Sequence, residues 1–385
     1  MGYAFTPGDV EFLQSEEGAA ALAEVDALAL TASTRLADIG RARTRFGSHV
    51  ALLVETVLLR RKAAAKLPGT GTWFFTDDAL QQATPRAVAA HRATRLTDRN
   101  VHDVTCSIGA ELDAVVGTAA TVIGSDLDPV RLLMAKHNVP GAAVLRADAL
   151  VPCTRGTVVL ADPARRSGGR RTHDPAALEP PLPDLIDAYR GRDLAVKCAP
   201  GLDFDRLGWD GEVEVVSLDG GVREACLWSP GLSGGGVTRR ASVLGSDGTA
   251  WTVTDAEDED IPERAPGEWI VDPDGAVVRA GLVRHYAARH GLWQLDPRIA
   301  YLTGDSVPDG VRGFRILDQV KYSEKSLRQE LARHDCGVAE ILVRGVDVDP
   351  AVLRPKLKLR GSRSLSVVIT RIGRAGVAFI CAARP

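Results

Sequence analysis

The run Asp103-Val104-Thr105-Cys106-Ser107-Ile108-Gly109-Ala110 decides how the chain is read. It closes the short apolar stretch that begins at Val101 and leads into a helical one. A strand, a tight turn of small residues and a helix N-terminus expose backbone N–H groups at the carboxyl edge of a parallel sheet, where nucleotides and their relatives bind. Working outward, residues 121–126, 142–147, 157–162 and 193–198 are further short apolar runs separated by helical stretches. That alternation implies a parallel sheet covered on both faces. Residues 212–217, the turn Asp219-Gly220-Gly221 and residues 224–228 read as a hairpin, so the sheet ends on an antiparallel strand.

The 385 residues suffice for two or three domains with a large core, and 45% apolar with 25% charged residues excludes wholesale disorder. A net charge of −3 excludes a uniformly basic surface, so any nucleic-acid site must be a local patch. Six cysteines without a CxxC pair read as reduced, buried thiols rather than a disulfide framework or a zinc site. His91, His102 and His137 lack partners at metal-ligand spacing, and no metal is expected. The N-terminus carries no secretory signal, and the apolar run from Val50 to Leu59, broken by Glu55, is too short to span a bilayer. A cytoplasmic protein without a membrane partner is the expectation.

Four divisions follow: a helical domain over 1–100, the sheet domain over 101–230, a β-containing excursion or linker over 231–305, and an α+β module over 306–385. Within the first, Thr84 is expected to cap a helix opened by Pro85. Trp73-Phe74-Phe75 is expected to clamp the helices to the sheet. The final module reads as strand, helix from Ser323 to His334, strand, helix after Asp349-Pro350, and two more strands.

Acidic residues end four successive strands: Asp103, Asp126, Asp148 and Asp162. A carboxylate at Asp126, about 20 residues beyond the first turn, suits ribose hydroxyls. A dinucleotide loop needs glycine where Thr105 and Ser107 stand, which argues for a nucleoside ligand without a pyrophosphate.

The ordered set Asp-Val-Thr-Cys-Ser-Ile-Gly (103–109), Ile-Gly-Ser-Asp-Leu-Asp-Pro (123–129), a helix ending Ala-Lys-His-Asn138, Ala-Asp-Ala (147–149) and Ala-Asp-Pro-Ala-Arg-Arg (161–166) resembles the class I S-adenosylmethionine-dependent methyltransferases over about residues 86–228. Residues 353–361, Leu-Arg-Pro-Lys-Leu-Lys-Leu-Arg-Gly, and the Val-Val-Ile-Thr-Arg-Ile-Gly strand at 367–373 resemble a THUMP-like domain. The resemblance implies a Rossmann-like α/β sheet flanked by an N-terminal helical domain and a small C-terminal α+β module. It also implies S-adenosylmethionine as cofactor. Asp103 would organise the loop near the methionine ammonium, and Gly109 would admit the cofactor to the backbone. Asp126 would hold the ribose and Leu127 would pack on adenine. Asp148 and the N–H of Ala149 would meet the adenine edge. Asp162, the carbonyl of Pro163 and Arg165 would face the methyl acceptor. Where Ser107 stands, family members usually carry glycine.

The Asp162-Pro163-Ala164-Arg165 turn resembles the signature of enzymes that methylate base nitrogens, with arginine in place of the usual stacking aromatic. Arg166, Arg170 and Arg171 follow it. Residues 354–374 hold seven basic residues and no acid, among them Lys356, Lys358 and Arg360. Guanidinium groups at a pocket mouth and a basic stretch suit a phosphate backbone. The expected reaction is methylation of a base nitrogen in tRNA or rRNA. The alternatives are a small-molecule or protein methyltransferase, or a non-catalytic RNA-binding protein with a vestigial cofactor fold.

Overall fold

The computed structural model describes residues 2–165 and 174–382. The chain forms two compact units: Met1–Leu218 with Arg223–Gly235 and Leu244–Thr249, and Asp219–Val222 with Gly236–Val243 and Ala250–Pro385.

Six helices open the first unit: α1 (Pro7–Gln14), α2 (Glu16–Asp26), α3 (Arg35–Phe46), α4 (Val50–Ala63), α5 (Asp77–Gln82) and α6 (Arg86–Thr94). Local chemistry sets their starts. Thr6 and Asp9 form a reciprocal capping box with Pro7 in the first turn of α1, and Ser15 and Thr76 cap α2 and α5. In α4, Leu52, Leu53, Val57 and Leu59 are buried, and this burial rather than helix propensity holds it in place. The cap expected at Thr84 is absent: Pro85 occupies the N-cap of α6 without a side-chain cap bond. The Thr84 hydroxyl instead accepts a hydrogen bond from Lys197 at 2.9 Å.

The sheet follows: β1 (Asn100–Asp103), α7 (Ala110–Val116), β2 (Thr121–Asp126), α8 (Pro129–Asn138), β3 (Ala143–Arg146), β4 (Val158–Ala161), the short pair β5 (Ala164–Arg165) and β6 (Leu178–Glu179), α9 (Leu182–Ala188), β7 (Leu194–Cys198), β8 (Glu212–Leu218) and β9 (Gly221–Trp228). Their order is β3-β2-β1-β4-β7-β9-β8. Strands β3 to β7 in that order pair in parallel, whereas β9 is antiparallel to β7. Strand order reverses between β1 and β4, so the loops leaving these two strands diverge and open a crevice at the carboxyl edge. The expected fold class is observed, and β8 and β9 are sheet neighbours across the expected turn, but the sheet does not end at this hairpin: it continues beyond β8.

Asn138, the last residue of α8, ties the helical region to that edge. Its amide oxygen accepts from the Phe74 N–H at 2.8 Å, and its amide nitrogen donates to the carbonyls of Phe74 and Ile108, each at 3.0 Å. Trp73, Phe74 and Phe75 are all buried, so the aromatic clamp forms around this one side chain. Five cysteines are buried as expected; Cys153 is exposed.

The second unit contains β10 (Arg239–Leu244, whose last residue belongs to the first unit), β11 (Ala250–Thr254), β12 (Trp269–Val271), α10 (Gly275–Arg279), α11 (Val283–Arg289), β13 (Trp293–Gln294), β14 (Leu302–Gly304), β15 (Gly313–Lys321), α12 (Glu324–Arg333), β16 (Cys336–Val343), α13 (Pro350–Leu357), β17 (Arg363–Ile372) and β18 (Ala375–Ala382). Its sheet runs β13-β14-β12-β15-β18-β17-β16. Three strands from the stretch read as an excursion thus share a sheet with the C-terminal strands, because β12 pairs antiparallel with β15 and with β14. Leu327, Leu331, Leu353 and Leu357 of α12 and α13 pack on one face, around Val367, Ile369 and Ile380.

Candidate active site

A cavity of about 420 Å³ lies at the crevice of the first unit. Its floor is the turn Thr105–Ile108 after β1. One wall is Asp126 and Leu127 after β2 with Asp148, Ala149 and Leu150 after β3, and another is Asp162 and Ala164 after β4. Thr84, Glu111 and the Glu179-Pro180-Pro181 segment complete it. The size and mixed lining suit a small organic ligand.

Three of the four strand-end acids line this cavity. Asp126 accepts the Ser107 N–H at 3.0 Å and the Asp128 N–H at 2.9 Å, which fixes its carboxylate at the rim. Leu127 is 58% exposed and lines the cavity, which gives its mouth an apolar face. Asp148 accepts the Leu150 N–H at 2.9 Å, and Ala149 beside it is buried. Asp162 is held by its backbone N–H, which donates to Thr105 Oγ1 at 2.7 Å, and by its carboxylate, which accepts from Lys197 Nζ at 2.5 Å.

Asp103 is placed elsewhere. It is buried below the turn, accepts the Thr105 N–H at 3.0 Å, and forms no part of the cavity wall. Burial, reinforced by the neighbouring carboxylates of Glu111, Asp162 and Asp126, pushes its pKa up to about 8. Its place beneath the turn, with its carboxyl taken by the Thr105 N–H, makes it a support of the turn. Gly109 is also off the wall. Its φ of +91° and the 2.9 Å that would separate a Cβ from Val139 show why glycine stands there: α7 must start left-handed and close against α8. Pro163 is buried between its cavity-lining neighbours.

Ser107 has φ +49°, a left-handed conformation that glycine adopts freely and serine at a cost of about 1 kcal/mol. The turn nonetheless keeps this shape, anchored by the bond to Asp126. Within it, the N–H groups of Thr105, Cys106, Ser107 and Gly109 are engaged by Asp103, Ser125, Asp126 and Cys106. Those N–H groups cannot cradle a pyrophosphate. The turn therefore fits a nucleoside carrying an amino-acid arm better than a dinucleotide, and Asp126, Leu127 and Asp148 offer hydroxyl acceptors, an apolar face and an amino-group acceptor to it.

The sequence points to neither Thr84 nor Glu111 as a site residue, and for Lys197 at a strand end it leaves two readings, a substrate contact or a buried-strand lysine snorkelling to the edge. Lys197 leaves the end of β7 and reaches both Asp162 and Thr84. Arg92 of α6 binds Glu111 and Glu224, all three buried. The signal for these was the presence of ionisable residues in otherwise apolar stretches, where a charge must find a partner. Of the other expected site residues, the backbone of Arg165 lies in β5, and Arg166, Arg170 and Arg171 lie outside the described residues.

In the second unit, Lys356 and Lys358 end α13 and Arg360 follows; all three are exposed. Lys356 is tied to Glu324 at 2.6 Å, and Arg354 donates to the Ala339 carbonyl. The expectation of an unopposed basic run is thus corrected at these two positions, because α12 and β16 bring acceptors that the local sequence lacks. Among the described residues, no helix is long and apolar enough to cross a membrane.

Comparisons with known proteins bear on the family and the fold. A THUMP domain-like family model matches residues 311–383, and a domain of unknown function matches residues 6–63. A crystal structure described as a "putative methyltransferase" from Porphyromonas gingivalis W83 superposes with a TM-score of 0.76 over 100% of both chains at 20% identity, a likeness of fold. Two relatives from Mycobacterium tuberculosis, strains CDC 1551 and H37Rv, are each 58% identical over 353 residues, covering 88% of this chain and 98% of theirs. Both are described as uncharacterized S-adenosylmethionine-dependent methyltransferases. On that identity and coverage, and with a cavity whose turn and rim suit the cofactor, the chain belongs to the S-adenosylmethionine-dependent methyltransferases.

Proposed function

We propose that the enzyme methylates a nitrogen of an RNA base, in tRNA or rRNA. The observation that carries this reading is the position of Asp162: it ends β4 in the sequence Asp162-Pro163-Ala164-Arg165 and lines the same cavity as Asp126 and Asp148. S-adenosylmethionine supplies a methyl group on a sulfonium, electrophilic without further activation. The acceptor must then be held with its nitrogen lone pair on the line to that methyl. The Asp162 carboxylate accepts an N–H from the acceptor, and the Pro163 carbonyl beside it accepts a second. Such placement can supply much of the barrier reduction without any covalent intermediate. Asp126 takes the cofactor's ribose hydroxyls, Leu127 covers the adenine face, and Asp148 with the Ala149 N–H reads the adenine edge.

RNA as the acceptor is supported by the THUMP domain-like match over residues 311–383 and by the exposed Lys358 and Arg360 in that region. Arg165, Arg166, Arg170 and Arg171, next to Asp162 in sequence, supply further phosphate-binding capacity. The test is mass spectrometry of nucleosides from tRNA and rRNA of a deletion strain complemented with wild type or with Asp162→Ala. One methylated nucleoside is expected to vanish in the deletion, return with wild type and stay absent with Asp162→Ala. An unchanged RNA profile in all strains would move the substrate to a small molecule or protein.

A further inference from the structure

The fifth parallel strand delivers a cation to the acceptor site. Lys197 Nζ donates to Asp162 at 2.5 Å and to the Thr84 hydroxyl at 2.9 Å, and its side chain is only 15% exposed. A buried ammonium is costly unless paired, so this geometry is over-determined from three sides: β7 supplies the lysine, the turn after β4 the carboxylate, and the residue before Pro85 the hydroxyl. The surrounding charges show what Lys197 does. Arg92 is bound by Glu111 and Glu224, two carboxylates against one guanidinium. Asp103, below, is pushed toward its neutral form by burial. Lys66 turns its ammonium to the carbonyls of Leu80 and Gln81 and has its pKa lowered to about 8 by desolvation and by Lys197. Lys197 is therefore the direct counter-ion of Asp162. Burial opposes its charge, but Asp162 first, then Glu224 and Glu111, hold its pKa above the usual lysine value.

We infer that Lys197 is a positioning and specificity residue: it fixes the Asp162 carboxylate in one orientation and sets an ammonium directly against the group that meets the acceptor. The inference rests on the reading of Asp162 given above. Two consequences follow. The carboxylate can still accept an N–H, but an ammonium already lies against it. A protonated alkylamine, such as a lysine side chain, would bring a second ammonium against Lys197. A neutral arylamine or ring amide N–H, as on a nucleobase, meets no such penalty. The acceptor class is thus a neutral, conjugated nitrogen.

The experiment compares wild type, Lys197→Met, Lys197→Arg, Thr84→Val and Asp162→Ala, each confirmed folded by its thermal transition. Cofactor affinity is read by calorimetry with S-adenosylmethionine alone. Methyl transfer is read with total RNA and, separately, with a lysine-rich peptide. Lys197→Met is expected to bind the cofactor as wild type does while kcat falls about 100-fold, the scale of a misplaced reacting group. Lys197→Arg should recover part of the rate, and Thr84→Val should show the same split between kcat and cofactor affinity to a smaller degree. The peptide should stay unmethylated by wild type. Should Lys197→Met fail to fold, Lys197→Arg and Thr84→Val decide by the same split. Wild-type rate in the lysine and threonine variants, with Asp162→Ala inactive, would overturn the role of Lys197 alone. Full activity of Asp162→Ala would overturn the reading on which it rests, and methylation of the peptide would overturn the acceptor class.

Discussion

The carboxyl edge of the first unit and the basic segment of the second both concentrate charge, but hold it differently. Around Asp162 the charges are buried or half-buried and held by one another: Lys197 by Asp162, Arg92 by both Glu111 and Glu224. Between residues 354 and 374 they are mostly exposed, and only some have partners, as Lys356 has Glu324 and Arg371 has Asp296 at 3.9 Å. Buried pairs fix geometry, and removing one member is severe; exposed charges contribute little to stability and remain available to a polyanion. The first arrangement suits orientation of a reacting atom, the second attraction of a phosphate backbone.

The sharpest break in this comparison comes from Asp162→Ala. Turnover on RNA should fall by at least about 100-fold while S-adenosylmethionine affinity stays near wild type, because the residue holds the acceptor and not the donor. Single-turnover assays beside calorimetry check it; a joint loss of both would make Asp162 a cofactor residue. Next is Asn138→Ala, which leaves the Phe74 N–H, the Phe74 carbonyl and the Ile108 carbonyl without their buried partner. A loss of about 2–4 kcal/mol in denaturant unfolding is expected. A loss below about 0.5 kcal/mol would mean the aromatic clamp holds without it.

A different effect is expected in the second unit. Replacing Lys356, Lys358 and Arg360 together by alanine should flatten the slope of log RNA affinity against log salt by about 1.5 to 3, the lower value applying if Glu324 already occupies Lys356. Filter binding at several salt concentrations measures this, and an unchanged slope removes the segment from the RNA interface. Asp103→Asn tests the pH dependence of stability rather than activity. The folded pKa of Asp103 is raised to about 8, so wild-type stability is fully present below the unfolded carboxyl value and declines as pH rises towards 8. The asparagine variant, which copies the protonated acid, should lack that decline. Thermal transitions from pH 5 to 8.5 that shift in parallel for both proteins would contradict the assignment.

Much of this was legible in the sequence. The strand-end acids at Asp126, Asp148 and Asp162 could be found because each ends an apolar run of strand length, and the topology brings such ends to one crevice. The direction of Asp103 could not. A strand end alone does not say whether the side chain rises to the cavity or turns into the core. The glycine at 109 was readable as necessary, but the necessity is the packing of α7 on α8, visible only once Val139 is seen against it. Strands β12 to β14 escaped because two or three residues are too few to show alternation. Lys356 read as unopposed because its partner Glu324 is 32 positions away on another helix. In each case the missing information was a contact between residues distant in sequence.

The most direct test of the cofactor assignment is calorimetry of S-adenosylmethionine binding to wild type, Asp126→Ala and Asp103→Asn. Asp126 lines the cavity with its carboxylate fixed by two backbone N–H groups, whereas Asp103 lies beneath the turn and off the wall. Asp126→Ala should weaken binding by about 1.5–3 kcal/mol, the value of hydrogen bonds to a charged group, and Asp103→Asn should leave it within about twofold of wild type. Equal affinity in Asp126→Ala and wild type, or a large loss in Asp103→Asn alone, would contradict this placement of the cofactor.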